Sequence, residues 1–426
     1  MNCIPSPRLL LLCVACLVAC GASASESGPG ASQYGLAYLI TPSPAEQSVA
    51  VQLTVTQDDD LLREMRFDAN PERYSDFEAD GELSVDGARI TWSPPEDGGE
   101  LRWRVRVPRQ RNSNGHDAWL DENWGLFRAE DIIPRAATRT LIGVTSETSI
   151  GFQLPRRWSA VTEYFSAGGK FQVRKAERRF SQPSGWIVIG ELGVRRERIA
   201  GVRVAIAAPE GQGVRRLDML ALLNWSLPEL ARVLPQMPPR LTVVSAGSPL
   251  WLGALSAPQS IYIHASRPLI SENGTSTLLH EVVHVALGGG GGVDVDWMTE
   301  GLAEYYSLQL LYRSGSLTPK RYQRAMERQA EWAKSADSLC GPSSTGATTA
   351  LAVTVLAALD QEIRAGSDDE ASLDDVLRQV LRSSTPLGLE SLTAAAAGLL
   401  GKKPDALHID NLPGCRKLSA SEAKTT

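Results

Sequence analysis

The sequence predicts an α+β chain with an antiparallel β-rich first half, a mixed middle segment and a helical end. Three observations carry this. Apolar residues recur at every second position as far as about residue 201, and at helical spacing afterwards. Turn residues cut the first half into short runs. In the middle segment a helix and two short strands precede a helix carrying two histidines.

The elements follow in order. Val49, Val51, Leu53 and Val55 alternate with polar residues, as do Leu101, Trp103, Val105 and Val107. Arg102, Arg104 and Arg106 fall on the outward face of that second run. Asp97-Gly98-Gly99 and Ser113-Asn114-Gly115 are turn signals, and His116 beside them reads as an exposed turn residue. Residues 34–201 thus read as an antiparallel β-domain, a sandwich, that packs on the next part and shapes its cleft. Helical spacing begins at Leu217 and stops before Pro235. Strands are expected over Leu241–Ser245 and Ser260–His264. The histidine helix follows, capped by Ser276 or Thr275, with Leu279, Val282, Val283, Ala286 and Leu287 on its apolar sides. The run Gly288 to Gly292 ends it, and a second helix starts near Asp296. Thr318-Pro319 opens a further helix. Others are expected over Ala350–Arg364, after the Ser372/Asp375 capping box, and through Ala394–Ala397 to an end near Gly401. Ser338 to Thr349 reads as an irregular loop bordering a cleft. The boundaries read as 202–317 for the middle part, 318–416 for the helical part and 417–426 for a polar tail.

The chemistry concentrates at His280-Glu281-Val282-Val283-His284. Positions i and i+4 share a helix face, so both imidazoles can reach one metal ion. Glu281 beside them is the candidate general base, taking a proton from a metal-activated water. Zinc in a hydrolase takes three protein ligands and leaves one position for water. Glu300 is the candidate third ligand, because the glycine run lets the chain turn back. Glu304, one turn further along, is placed to accept the other ring N–H of a histidine. One zinc ion per chain is expected.

His-Glu-x-x-His followed by Trp297-x-x-Glu300-Gly-Leu-Ala-x-Tyr305-Tyr306 resembles the gluzincin metallopeptidases, in particular the aminopeptidase N and glycyl aminopeptidase families. The resemblance implies a zincin (thermolysin-like) catalytic domain over 202–317. It also implies zinc ligation by His280, His284 and Glu300, with Glu281 as general base and acid. Leu359 to Arg364 and Ser372 to Arg378 look like the helical part that follows the metal site in glycyl aminopeptidases. The resemblance covers roughly residues 215–415, with a weaker echo in the first half.

Two features depart from those families. They carry a tyrosine in the helical part that stabilises the oxyanion, whereas this chain has no tyrosine after Tyr322. Losing such a donor costs about 3 kcal/mol. Tyr305, Tyr306, Tyr312 and His264 are the candidate replacements; for His264 the alternative is an edge residue without a role. Aminopeptidases of this type also bind the substrate amine through a glutamate in a Gly-rich strand segment. The matching stretch here, Gly253 to Ala257, has no acid, and Glu272 is the one acidic residue between 240 and 275. This speaks against removal of single N-terminal residues.

Apolar content of 43% and charged content of 22% are ordinary for a folded protein of two or three domains. A net charge of −6, with no basic patch interleaved with aromatics, argues against a nucleic-acid partner. At the N-terminus, Arg8 precedes an apolar run from Leu9 to Ala19, too short to span a bilayer permanently. Leu17-Val18-Ala19-Cys20 looks like the lipobox of bacterial lipoproteins, with Cys20 lipidated. Ordinary cleavage after Ala22-Ser23-Ala24 is the alternative and would leave a soluble periplasmic protein. Residues 1–20 thus read as a lipoprotein signal peptide and 21–33 as a flexible tether, giving a lipid-anchored protein of the bacterial envelope. Cys340 and Cys415 remain in the folded body as a candidate disulfide, with two free buried thiols as the alternative.

The leading functional reading is a zinc metallopeptidase acting on a peptide or protein and held at the membrane by its lipid. One alternative is a weak or inactive relative that binds peptides or envelope partners. Another is a zinc amidohydrolase acting on a non-peptide amide.

Overall fold

The computed structural model describes residues 32–167, 169–173, 180–288, 296–341 and 343–415. The expected signal peptide with Cys20, nearly all of the tether, most of the glycine run and the polar tail lie outside the described residues.

The first half is β-rich, as the alternation requires. A seven-stranded sheet is built on the long strands Gln33–Ser43, Ser48–Thr56 and Gly98–Arg106. It buries Tyr38, Val51, Leu53 and Trp103 against Met65, Phe67 and Trp92 of a four-stranded sheet. Among the described strands of these two sheets pairing is antiparallel apart from Gln33–Ser43 with Thr145–Phe152, which runs parallel. A third sheet of five strands includes Gly115–Leu120, Trp124–Arg128 and Trp186–Gly190. A short α-helix, α1 (Ala129–Ile132), interrupts this region. His116 is not an exposed turn residue. It lies half-buried in a strand, edge-on to Trp119 at 4.8 Å, with Nδ1 3.3 Å from the Pro249 carbonyl. The turn chemistry belongs to the residues just before it.

The middle part is a five-stranded sheet in the order Leu192–Ile199, Val202–Pro209, Arg240–Ala246, Ser260–His264, Ala254–Ala257. The inner strands run parallel, and the two outer ones are antiparallel to their neighbours. The expected boundary at residue 201 falls inside the hairpin of the first two strands. A period of two reads the same whichever sheet a hairpin joins, so alternation alone could not locate the division.

Among the described residues seven further α-helices follow: α2 (Arg216–Val233), α3 (Thr277–Leu287), α4 (Asp296–Arg313), α5 (Pro319–Ala333), α6 (Ala347–Gly366), α7 (Leu373–Arg382) and α8 (Leu389–Leu400). They share one hydrophobic core with the sheet, in which Val204, Leu223, Val283, Trp297, Leu302 and Leu356 all take part. The expected division at 317/318 therefore crosses a continuous core. Cys340 and Cys415 form a disulfide that ties the last described residues to the loop before α6. Among the described residues no helix is long and apolar enough to cross a membrane.

A smaller seam joins the β-rich part to the sheet. Trp186 packs on Tyr262 at 5.2 Å between ring centroids, and its Nε1–H donates to the Leu255 carbonyl at 2.9 Å. This bond fixes the outermost strand, Ala254–Ala257, from the β-rich side.

Candidate metal centre

Local chemistry sets the histidine helix. Ser276 Oγ accepts from the Leu279 N–H at 3.3 Å, and Ser276 is the cap the hydroxyl pattern allowed. Leu278, Leu279, Val282 and Val283 bury the inner face of α3. At the other end Gly288 closes the helix in the left-handed conformation, φ 79°, where a side chain would be strained. The opposite face carries His280 and His284, with ring centroids 4.7 Å apart.

Helix α4 presents Glu300 and Glu304 to that face. Its approach depends on Gly301: a Cβ there would lie 2.6 Å from the Ala352 Cβ of α6. Glu300 therefore sits on a helix pressed closely against α6. Its Oε2 is 3.3 Å from His280 Nε2 and its Oε1 is 3.2 Å from His284 Nε2; the two Nε2 atoms are 3.0 Å apart. Ligand atoms around a tetrahedral zinc, at 2.0–2.1 Å, are about 3.3–3.4 Å from one another. The three donors, two imidazoles and one carboxylate, thus fit the metal in both chemistry and spacing.

The supporting contacts are as definite. His280 Nδ1–H donates to Glu304 Oε2 at 3.0 Å, which orients the ring. Glu304 Oε1 in turn accepts from Gln329 Nε2 at 3.2 Å. Glu281 is 8% exposed, and its Oε2 accepts from the backbone N–H of Ser256 at 2.7 Å. The edge strand thus holds Glu281 beside the cluster. Electrostatics follow the geometry. Burial opposes a charge on His280, but Glu300 and Glu304 outweigh it and push its pKa up to about 10. Burial acts against the Glu300 carboxylate, but the two imidazoles outweigh it and bring it down to about 2.

The candidate oxyanion donors do not join this group. Tyr306 is fully buried and its hydroxyl donates to Asp374 Oδ1 at 3.1 Å. The Tyr305 hydroxyl accepts from Gln309 Nε2 at 3.1 Å within the core. Tyr312 stacks on Tyr322 at 4.5 Å. The helix explains this: Glu300 and Glu304 share a face, and the next two residues turn away from it. His264 ends its strand three residues beyond Ile261, the partner of Ser256, so it stands roughly 10 Å along the sheet. Its Nδ1 accepts from the Ser266 N–H at 3.1 Å, and burial, then Arg267, lowers its pKa and keeps it neutral.

A cleft of about 380 Å³ opens on the His280 side, walled by α5 and the loop before α6. It contains Gln329, Arg328, Trp332, Thr345 and Thr349. A second hollow of about 370 Å³ lies on the His284 side, against Ser256–Gln259. Sequence reasoning passed over Gln329 and Arg328. Gln329 left one trace: it stands between Ala325 and Ala333 at helical spacing, a polar residue in the buried stripe of α5.

No protein-family model matches the chain, and no curated protein does. Solved structures do match. An aminopeptidase N family protein from Idiomarina loihiensis is similar at a TM-score of 0.63 and 16% identity, over 89% of this chain and 74% of that one. Yeast LTA4 hydrolase, in complex with bestatin, is similar at a TM-score of 0.52 and 12% identity, over 91% of this chain and 68% of that one. The fold is aminopeptidase N-like. It has the β-rich N-terminal region and helical C-terminal region expected of that architecture.

Proposed function

We propose that this chain is a zinc metallopeptidase of the gluzincin type, in which His280, His284 and Glu300 hold one zinc ion. The observation that carries this is the convergence of two imidazole nitrogens and the two oxygens of one carboxylate, in contact at 3.0–3.3 Å, with the Glu281 carboxylate held beside them by Ser256. Zinc in such a site supplies Lewis acidity and a water that is nucleophilic near neutral pH. Glu281 is the proton carrier: the Ser256 N–H orients one oxygen, and the other is left to take a proton from the nucleophile and pass it to the leaving amine. The strand Ala254–Ala257 lies at the edge of its sheet, so an extended peptide can align along it. The test is Glu281→Gln. Zinc content should stay at one per chain while cleavage of a broad peptide mixture disappears; undiminished cleavage would refute the assignment.

One observation favours a slower or non-catalytic relative that binds peptides or envelope partners. Among the described residues no tyrosine lines either hollow at the site; the hydroxyls there belong to serine and threonine. Bound zinc with no cleavage of any peptide or simple amide would select this second reading. Cleavage of non-peptide amides alone would select the amidohydrolase.

The lipid anchor at Cys20 and location in the bacterial envelope are part of the proposal. The Cys340–Cys415 disulfide supports export to an oxidising compartment. Metabolic labelling with a fatty-acid analogue, lost in Cys20→Ala, tests the anchor.

A further inference from the structure

We propose that Arg328 makes the cleft beside the metal centre a subsite for a carboxylate of the substrate, close to the bond that is cut. This rests on the hydrolase reading above and names its substrate class.

Arg328, on α5, lines the same cleft as His280, Glu300 and Glu304. Its Nη1 donates to Asn273 Oδ1 at 2.9 Å and to the Glu272 carbonyl at 3.3 Å. Both acceptors are neutral, so they aim the guanidinium without cancelling its charge. Other arginines of the helical part are used differently. Arg313 directs both terminal nitrogens at Asp374, and Arg364 bonds Asp360. Among the described residues Arg328 has no carboxylate partner of this kind.

The carboxylates of the site are all engaged. Glu281 accepts from Ser256, Glu300 faces both histidines, and Glu304 accepts from His280 and Gln329. Among the described residues none is left to receive a substrate ammonium. Among the described charged side chains that line the cleft, Arg328 is the one without an oppositely charged partner. At the start of α6, Thr345, Gly346 and Thr349 line the cleft and Gly346 caps without a side chain, while Asp296 Oδ2 accepts from the Ser344 N–H just before it. A carboxylate placed at Arg328 meets a fork of N–H donors. Trp332, 53% exposed in the same cleft, offers an apolar face for the rest of the group. The carboxylate comes either from the C-terminus of a short peptide or from an Asp or Glu side chain of a longer one.

The experiment uses zinc-loaded protein and matched fluorogenic peptides. One pair differs only in a C-terminal acid or amide; others exchange Glu for Gln next to the scissile bond. At least one charged peptide should be cut about tenfold faster in kcat/KM than its neutral twin, the size of a charge-assisted hydrogen bond. The same pair identifies the source. In Arg328→Ala the ratio should fall toward one, and in Arg328→Glu it should invert toward a Lys-containing peptide. Binding of the same pairs to zinc-loaded Glu281→Gln, with and without Arg328→Ala, is measured in parallel. Preferential, Arg328-dependent binding without cleavage by the wild type would uphold the subsite while the hydrolase reading fails. Equal cleavage of charged and neutral twins would overturn the subsite and leave the hydrolase standing. Neither cleavage nor preferential binding overturns both.

Discussion

His280 Nδ1 and Glu304 Oε2 lie 3.0 Å apart, and the other Glu304 oxygen is held by Gln329 Nε2 at 3.2 Å. This relay runs from α5 through α4 to the ring that faces the metal position. It fixes the ring so that Nε2, not Nδ1, points at Glu300.

Replacing Glu304 with Gln should therefore weaken zinc binding by about tenfold to a hundredfold, the usual effect of losing such a partner. Chelator competition measures this. The circular dichroism spectrum should be unchanged, since glutamine has the size and shape of the glutamate it replaces.

The raised pKa of His280 has a measurable result. Below about 10 the metal-free ring carries a proton, because burial is outweighed by Glu300 and Glu304. A ligating imidazole must be neutral. Zinc binding at pH 7.5 should therefore release about one proton from this ring, seen as a dependence of calorimetric heat on buffer ionisation enthalpy. The sign for stability follows from a folded pKa above the ordinary 6.5. In chelator, the stabilisation is complete below pH 6.5 and is lost as pH rises toward 10. Thermal unfolding of metal-free protein across that window checks it; a transition temperature rising between these pH values would contradict the geometry.

Gly301 allows α4 to press against α6 where Glu300 must reach the histidines. Gly301→Val should overpack this contact, costing about 1–3 kcal/mol, and should lower zinc affinity as Glu300 is displaced. Denaturant unfolding and metal analysis on the same sample report the two effects. Loss of neither would show that the helices separate freely.

The disulfide closes a loop across a sequence separation of 75. Loop-closure entropy assigns it about 4 kcal/mol. Cys340→Ser with Cys415→Ser, or reduction of the wild type, should lower the unfolding midpoint accordingly. An unchanged midpoint would mean that the unfolded chain gains little freedom.

By itself, the sequence determined whatever depends on neighbours along one chain segment. The i, i+4 spacing of His280 with His284, and of Glu300 with Glu304, placed each pair on a single helix face. Ser276, Gly288 and the Ser372/Asp375 pair marked helix ends through local hydrogen bonds. Alternation showed the strands of the first half. Tertiary structure alone decided what depends on how segments meet. It set Ser256 against Glu281, 25 residues apart, and Gln329 against Glu304. It supplied the core and the Asp374 carboxylate that receive Tyr305 and Tyr306, which the helix turns away from Glu304. It also placed the 192–209 hairpin in the five-stranded sheet of the middle part. A helix or strand period reports which side of an element is apolar. It carries no information on which other element will cover that side, and the groups around the metal position come from four elements brought together by a shared core.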